Sequence, residues 1–163
     1  MFFIHRTMVF LRKTIVKAYY KIIYGNRFIC GENLKFRSGF KLYIEKTGKI
    51  VVGDNCFMNN FFSANSVCSI TIGNNCIFGE NVKIYDHNHI YTRKNEGIPI
   101  NEQGLKSKPV VIGDNCWFGS NVVILSGVKI GSNVVVGANC LLYKDIPENS
   151  VVIHGENLIV RNG

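Results

Sequence analysis

VVIGDNCWFGSNVVILSGVKIGSNVVVGANCLLY, residues 110–143, repeats itself every six residues. Gly113, Gly119, Gly131 and Gly137 each open a G-x-N step, and the GENL step at 155 keeps the same phase. The residues just before these steps form one apolar column: Ile112, Phe118, Ile124, Ile130, Val136 and Leu142. A second column follows them: Cys116, Val122, Val128, Val134, Cys140 and Ile146. Two apolar columns at a strict period of six do not fit an α-helix, whose period is 3.6. They fit short strands joined by tight turns, with Gly and Asn where the backbone needs positive φ. Stacking such units buries both columns along one axis, as in a β-solenoid. Six residues at ~3.3 Å each give a face of roughly 20 Å, and three such faces close a coil of about eighteen residues. The expected fold is therefore all-β, a parallel β-helix.

The same step occurs earlier, as GENL at 31, GDNC at 53, GNNC at 73 and GENV at 79. Four of the six cysteines, Cys56, Cys76, Cys116 and Cys140, fall where sister repeats carry Val or Leu. They read as small core residues. No CxxC pair exists, so the pattern points away from zinc. Between Gly79 and Gly113 the phase is lost, after Ile84, and is regained near Val110. The intervening DHNHIYTRKNEGIPINEQGLKSK is polar and reads as a loop, residues 85–109, thrown out from the coil. His87 and His89, two of only four histidines, sit where the chain leaves the stack. In an extended segment they point to the same side. They can be plain surface histidines, ligands to a metal, or a general base titrating near neutrality.

Residues 1–27 carry Arg6, Arg12, Lys13, Lys17, Lys21 and Arg27 and no acid, whereas the rest holds 13 basic and 11 acidic side chains. The expected organisation is a basic amphipathic helical arm, 1–27, and a β-helix domain, 28–163. A nearly neutral body argues against a nucleic-acid partner. No apolar run is long enough to span a bilayer, and the charged N-terminus does not read as a secretory signal. In the arm, Ile4, Met8, Leu11, Ile15, Tyr19 and Ile22 share one face of a helical wheel, with Arg6, Lys13, Lys17 and Lys21 opposite. That face can pack on the end of the β-helix or a neighbouring subunit, or lie on an anionic membrane surface through residues 1–24. The expected location is cytoplasmic, peripheral on the inner face of the membrane.

The tandem hexapeptides, the segment IYDHNHIY (84–91), the block KPVVIGDNCWFGSNVVILSGVKIG (108–131) and KDIPENS (144–150), in this order, resemble the hexapeptide-repeat acyltransferases. The similarity is to their maltose/galactoside O-acetyltransferase-like branch. It implies a left-handed coil, a homotrimer, acetyl-CoA as acyl donor, no metal and a carbohydrate acceptor. Matching the loop places the general base at His89. His87, its neighbour, would orient it, touch the substrate or take the base role. A backbone N–H in the W-[IF]-G-[SA] segment serves the oxyanion in this family, which implies Ser120 here. Trp117 would wall the cleft between subunits. Gly137 and Ala138 would line the pantetheine arm, and Lys144, with Arg161, would meet the coenzyme phosphates. At 155–161 the family's G-x-P-A-[KR] is replaced by GENLIVR, so the Pro-Ala step is absent.

On the acceptor side Asn59 and Asn60 suit hydroxyl recognition, though turn capping also explains them. Asp86, Tyr91, Arg93, Lys94 and Glu102 are further substrate-binding candidates, and Asp86 can also fix an imidazole tautomer. The expected reaction is O-acetylation of a bacterial surface-polysaccharide or lipopolysaccharide precursor. The rivals are an N-acetyltransferase of an amino-sugar nucleotide and a non-catalytic β-helix for assembly or binding. No P-loop or Rossmann glycine motif supports nucleotide hydrolysis or hydride transfer.

Overall fold

The computed structural model describes residues 14–45, 47–92, 96–155 and 159–162. Residues 14–24 are helical, and from Phe28 the chain winds into about five turns of a left-handed parallel β-helix. Each face is a sheet. One runs Phe28–Cys30, Ile50–Val52, Ile70–Ile72, Val110–Ile112 and Lys129–Ile130. The second runs Lys35–Phe36, Phe57–Met58, Ile77–Phe78, Trp117–Phe118, Val135–Val136 and Ser150–Ile153, closed by an antiparallel strand, Ile159–Asn162. The third runs Lys41–Ile44, Ser63–Ser66, Lys83–Tyr85, Val123–Ile124 and Leu141–Leu142.

Both apolar columns face inward, and Ile112, Phe118, Ile124, Val122, Val134 and Leu142 are buried. So are Cys56, Cys76, Cys116 and Cys140, and burial pushes the Cys140 thiol up. Aromatic rings stack along the axis, with Phe78 and Phe118 4.8 Å apart and nearly parallel. The eighteen-residue coil holds from Val111 to Lys129, whereas the first coils pair Phe28 with Ile50 and Ile50 with Ile70. Extra residues at the corner around 44–49 and 66–69 lengthen those coils.

The two turn residues divide their labour. Among the described residues nine asparagines, Asn33, Asn55, Asn75, Asn81, Asn115, Asn121, Asn133, Asn139 and Asn149, take the left-handed conformation, while the repeat glycines that precede all but the last do not. A Cβ at Gly79 would lie 2.7 Å from both the Gly119 carbonyl carbon and the Ser120 nitrogen, so that glycine answers to close stacking. The asparagine amides then bond coil to coil, Asn81 to Asn121 to Asn139 at 3.0 Å each. The ladder makes the turn positions self-supporting.

The helix closes the open end of the solenoid with a face different from the one the helical wheel selects. Tyr20 is buried, and Val16 and Tyr24 are packed against the core. Tyr20 donates to the Phe40 carbonyl (3.3 Å) and accepts from the Leu42 N–H (3.2 Å), and Tyr24 donates to the Leu42 carbonyl (3.1 Å). These bonds satisfy an edge strand that has no further coil to pair with. Ile15, Tyr19 and Ile22, expected to share one face that packs or lies on a membrane, are 62, 55 and 82% exposed. The tyrosine hydroxyls decide the rotation, because they meet backbone groups that would otherwise be unpaired. Ile4, Met8 and Leu11 lie outside the described residues. Among those described, no helix is long and apolar enough to cross a membrane.

Candidate active site

The chain leaves the coil at Asp86. Tyr85 ends a strand, the backbone bends at Asp86, and His87–His89 then pairs antiparallel with Leu105–Ser107 as a protruding hairpin. A short 3-10 turn, Ile100–Glu102, precedes the returning strand. The polar segment is thus partly regular, because its two ends find each other as strands.

Because of the bend, Asp86 turns inward and still reaches its neighbour. It is fully buried. Its carboxylate accepts from Ser66 Oγ (2.7 Å), the Val67 N–H (2.8 Å) and the Cys68 N–H (2.9 Å). Its Oδ1 also lies 3.0 Å from His87 Nδ1. The Asp86 carbonyl accepts from Ser126 Oγ (2.7 Å) and the Lys108 N–H (2.9 Å). One residue therefore ties the preceding coil, the following coil and the hairpin root together. This corrects its reading as a substrate contact: its oxygens are occupied beneath the surface. An ionised carboxylate only accepts; with Asp86 in that form Nδ1 of His87 is the donor, and in the neutral ring Nε2 keeps its lone pair. His87 is mostly covered and His89 is exposed. Among the described residues the His89 ring has no hydrogen-bond partner.

A groove of about 470 Å³ runs along the second sheet and its corner with the third. Trp117, Ser120, Gly137 and Ala138, four residues expected to serve the donor, line it together, beside Phe57 and Asn59. Trp117 is 54% exposed. At this corner the turn N–H groups are normally tied. The Ser38 N–H donates to Asn60 Oδ1, that of Asn60 to Asn59 Oδ1, and that of Glu80 to Ser120 Oγ. At Ser120 the series stops, because the residue stacked on it, Ala138, has no side-chain acceptor. Among the described residues the Ser120 N–H has no acceptor, and it lies in a turn lining the groove.

The remaining candidates are dispersed. Asn60 is a corner tie: its Nδ2 donates to Glu80 Oε1 (2.9 Å) while its Oδ1 holds Ser38. Both ends of the amide are thus engaged in the corner, as turn capping, the other reading of Asn60, requires. Tyr91 is 73% exposed on the hairpin, with Lys106 Nζ 5.7 Å from its ring centre. Lys144 is exposed over Tyr143. Arg93 lies outside the described residues, as does the side chain of Arg161, whose backbone is in the closing strand. Among the described residues no cluster of potential metal ligands occurs.

The histidine root and the groove are not together within one chain. Lys83 pairs with Val123, so Ser120 stands at the start of the third face and His87 beyond its end. Seven residues separate their levels, at most about 23 Å of chain at ~3.3 Å per residue. Sequence reasoning missed Ser66 and Ser126, whose only signal is a hydroxyl in place of an apolar residue at a corner.

A left-handed coil of hexapeptides with a small-residue groove and a histidine hairpin defines a class of transferase. Residues 109–144 match the bacterial transferase hexapeptide (six repeats) and residues 49–85 the hexapeptide repeat of succinyl-transferase. WbbJ of Escherichia coli (strain K12), provisionally named as a lipopolysaccharide biosynthesis O-acetyl transferase, is 38% identical over 127 residues, 75% of this chain. This chain spans 65% of WbbJ's length. A maltose O-acetyltransferase from Clostridium difficile 630 is 33% identical, with a TM-score of 0.72 over 87% of this chain and 73% of that one. A hexapeptide-repeat acetyltransferase from Vibrio cholerae O1 biovar eltor, VCA0836, solved with acetyl coenzyme A, is 27% identical, with a TM-score of 0.71 over 90% of this chain and 77% of that one. The chain belongs to the hexapeptide-repeat acyltransferases, in the maltose/galactoside O-acetyltransferase-like branch.

Proposed function

We propose that this protein transfers an acetyl group from acetyl-CoA to a carbohydrate hydroxyl, in a bacterial surface-polysaccharide or lipopolysaccharide precursor, as a homotrimer. The observation that carries the reading is the unpartnered Ser120 N–H in a groove floored by Gly137 and Ala138. A donor so placed suits the oxygen of a thioester carbonyl as negative charge develops on it. The small residues leave room for a pantetheine arm, and exposed Trp117 supplies a wall.

In this reading the acceptor hydroxyl oxygen forms a bond to the thioester carbon while its proton passes to a histidine. The C–S bond then breaks, and the departing coenzyme thiolate takes up a proton. The Asp86–His87 pair has the arrangement a base requires, a carboxylate on Nδ1 and a free Nε2. We therefore assign the base to His87. His89, which the match to the family loop selects, is the alternative, and its greater exposure on the same hairpin supports it. Because groove and histidines stand at opposite ends of one face, the complete site would join the hairpin of one protomer to the groove of the next.

The helix adds a location. Its outer face carries Ile15, Tyr19, Ile22 and Ile23 with half-buried Lys17 and exposed Lys21, beside an arm that holds no acid. An apolar face rimmed by cations fits the anionic inner surface of a membrane.

The test is release of free thiol from acetyl-CoA with a panel of sugars and nucleotide sugars. Wild type is expected to turn over with a hydroxyl acceptor. His87→Ala is expected to lose about 10²–10⁴-fold in kcat/KM, the range for a general base. Loss confined to His89→Ala moves the base two residues along, and absence of turnover with every acceptor overturns the transferase reading.

A further inference from the structure

On the third sheet, next to the histidine root, one outward column departs from the rest of the coil. Tyr43 pairs with Asn65, and Asn65 with Tyr85, in consecutive coils. Their neighbours Leu42, Ala64 and Ile84 point into the core, so these three point out. The Tyr85 ring meets the His87 ring edge-to-face, 6.5 Å between centres. Tyr43 is 48% exposed.

Asn65 is the unusual member. The turn asparagines have positive φ and bond to one another between coils, but Asn65 lies mid-strand with ordinary backbone and has no such ladder. Among the described residues its side-chain amide has no hydrogen-bond partner. Asparagine is disfavoured in strands, and neither turn geometry nor stacking accounts for this one. It offers two donors and an acceptor between two aromatic rings. Tyrosines present an apolar ring and a polar tip. Flat apolar faces bracketing an amide match the chemistry of a sugar, whose ring has a C–H face and an edge of hydroxyls. The column spans two rungs, about 10 Å at the usual strand spacing, which is the length of a disaccharide.

We propose that Tyr43, Asn65 and Tyr85 form an acceptor subsite that holds an oligosaccharide of at least two rings, with the ring over Tyr85 delivered to the histidines. The inference rests on the transferase reading only for the direction of delivery. It makes the substrate an assembled glycan rather than a free monosaccharide. The reaction that supplies the substrate would accordingly be glycosyl transfer, completed before acetylation.

Two measurements on the full-length protein separate the subsite from the chemistry. The first is binding of the labelled protein, without acetyl-CoA, to an array of bacterial oligosaccharides and their component monosaccharides. Wild type is expected to retain glycans of two or more rings and no monosaccharide. Tyr43→Ala and Asn65→Ala are expected to weaken this about tenfold, Tyr43→Phe to restore it, and His87→Ala to keep it. The second is thiol release with the glycan so found, where the loss in Tyr43→Ala is expected in KM more than in kcat. Binding with no turnover leaves the subsite standing and removes the transferase reading. Turnover with KM unchanged in Tyr43→Ala and Asn65→Ala removes the subsite and leaves the transferase. Retention of no array glycan, or a variant that changes oligomeric state in place of glycan binding, also overturns the proposal, the latter by making the column a protomer contact.

Discussion

Phe61 has φ of +61° at a corner where the sister residues of the stack, Asn81, Asn121 and Asn139, occupy the same left-handed conformation. For an ordinary L residue this costs roughly 1–2 kcal/mol, and asparagine bears it more easily. Its ring is 63% exposed, so little burial offsets the strain. Phe61→Asn should therefore stabilise the protein by about 1 kcal/mol, read as a higher urea midpoint with an unchanged slope. An unchanged or lower midpoint would mean that the ring's contact with Gly39 outweighs the backbone term. The same corners show how far single residues were legible. G-x-N marked most of the stacked turns because its two residues answer to different demands, close stacking and left-handed φ. Trp117, Ser120, Gly137 and Ala138 were named by the resemblance to the acyltransferases, not by the repeat itself, and they line one groove. Asp86 was legible as a partner that could fix an imidazole tautomer, but not its burial or the bend at its own position that brings it to His87 Nδ1.

The helix 14–24 shows what periodicity alone leaves undecided. A wheel sorts apolar from charged, and in this segment tyrosines stand on two sides. The side that packs is the one whose hydroxyls reach the edge strand at Phe40 and Leu42. Burial pushes the Tyr20 phenol up, which keeps it a donor across the ordinary pH range. The outward side, Ile15, Tyr19, Ile22 and Ile23, is then left for another surface. The body is nearly neutral overall and the arm uniformly basic, so net charge gives a second copy of this chain no general attraction for it. The full-length protein should sediment with vesicles containing phosphatidylglycerol and stay behind with pure phosphatidylcholine, weakening as salt rises. Ile15→Glu with Ile22→Glu should abolish sedimentation without lowering the melting temperature, since both side chains are largely exposed. If the double variant instead falls apart as an oligomer, the face belongs to a neighbouring protomer.

At the scale of the whole molecule, the coil determines what one chain can and cannot do. The repeat made the solenoid legible, and the break in phase located the hairpin, because both are properties of spacing. The distance between hairpin and groove was not legible, because it depends on which corner of the triangle each occupies. The histidines stand past the end of the third face and Ser120 before its start. In the proposed reaction the base must come within hydrogen-bond reach of the proton it removes, so the proposed site would need a second chain. In a ring of three, each hairpin can meet the next chain's groove, and the three sites are equivalent. Subunit mixing tests this. His87→Ala removes the hairpin's function, or His89→Ala if that is the base, and Gly137→Trp fills the groove. Each should be inactive alone. Mixed in equal amounts, dissociated and reassembled, three-quarters of the trimers should contain both chains. Each such trimer has one junction, of three, at which an intact hairpin faces an intact groove. Activity should therefore return to about a quarter of wild type. No recovery, with mixed trimers demonstrated by mass, would place hairpin and groove function within one chain and overturn the shared site.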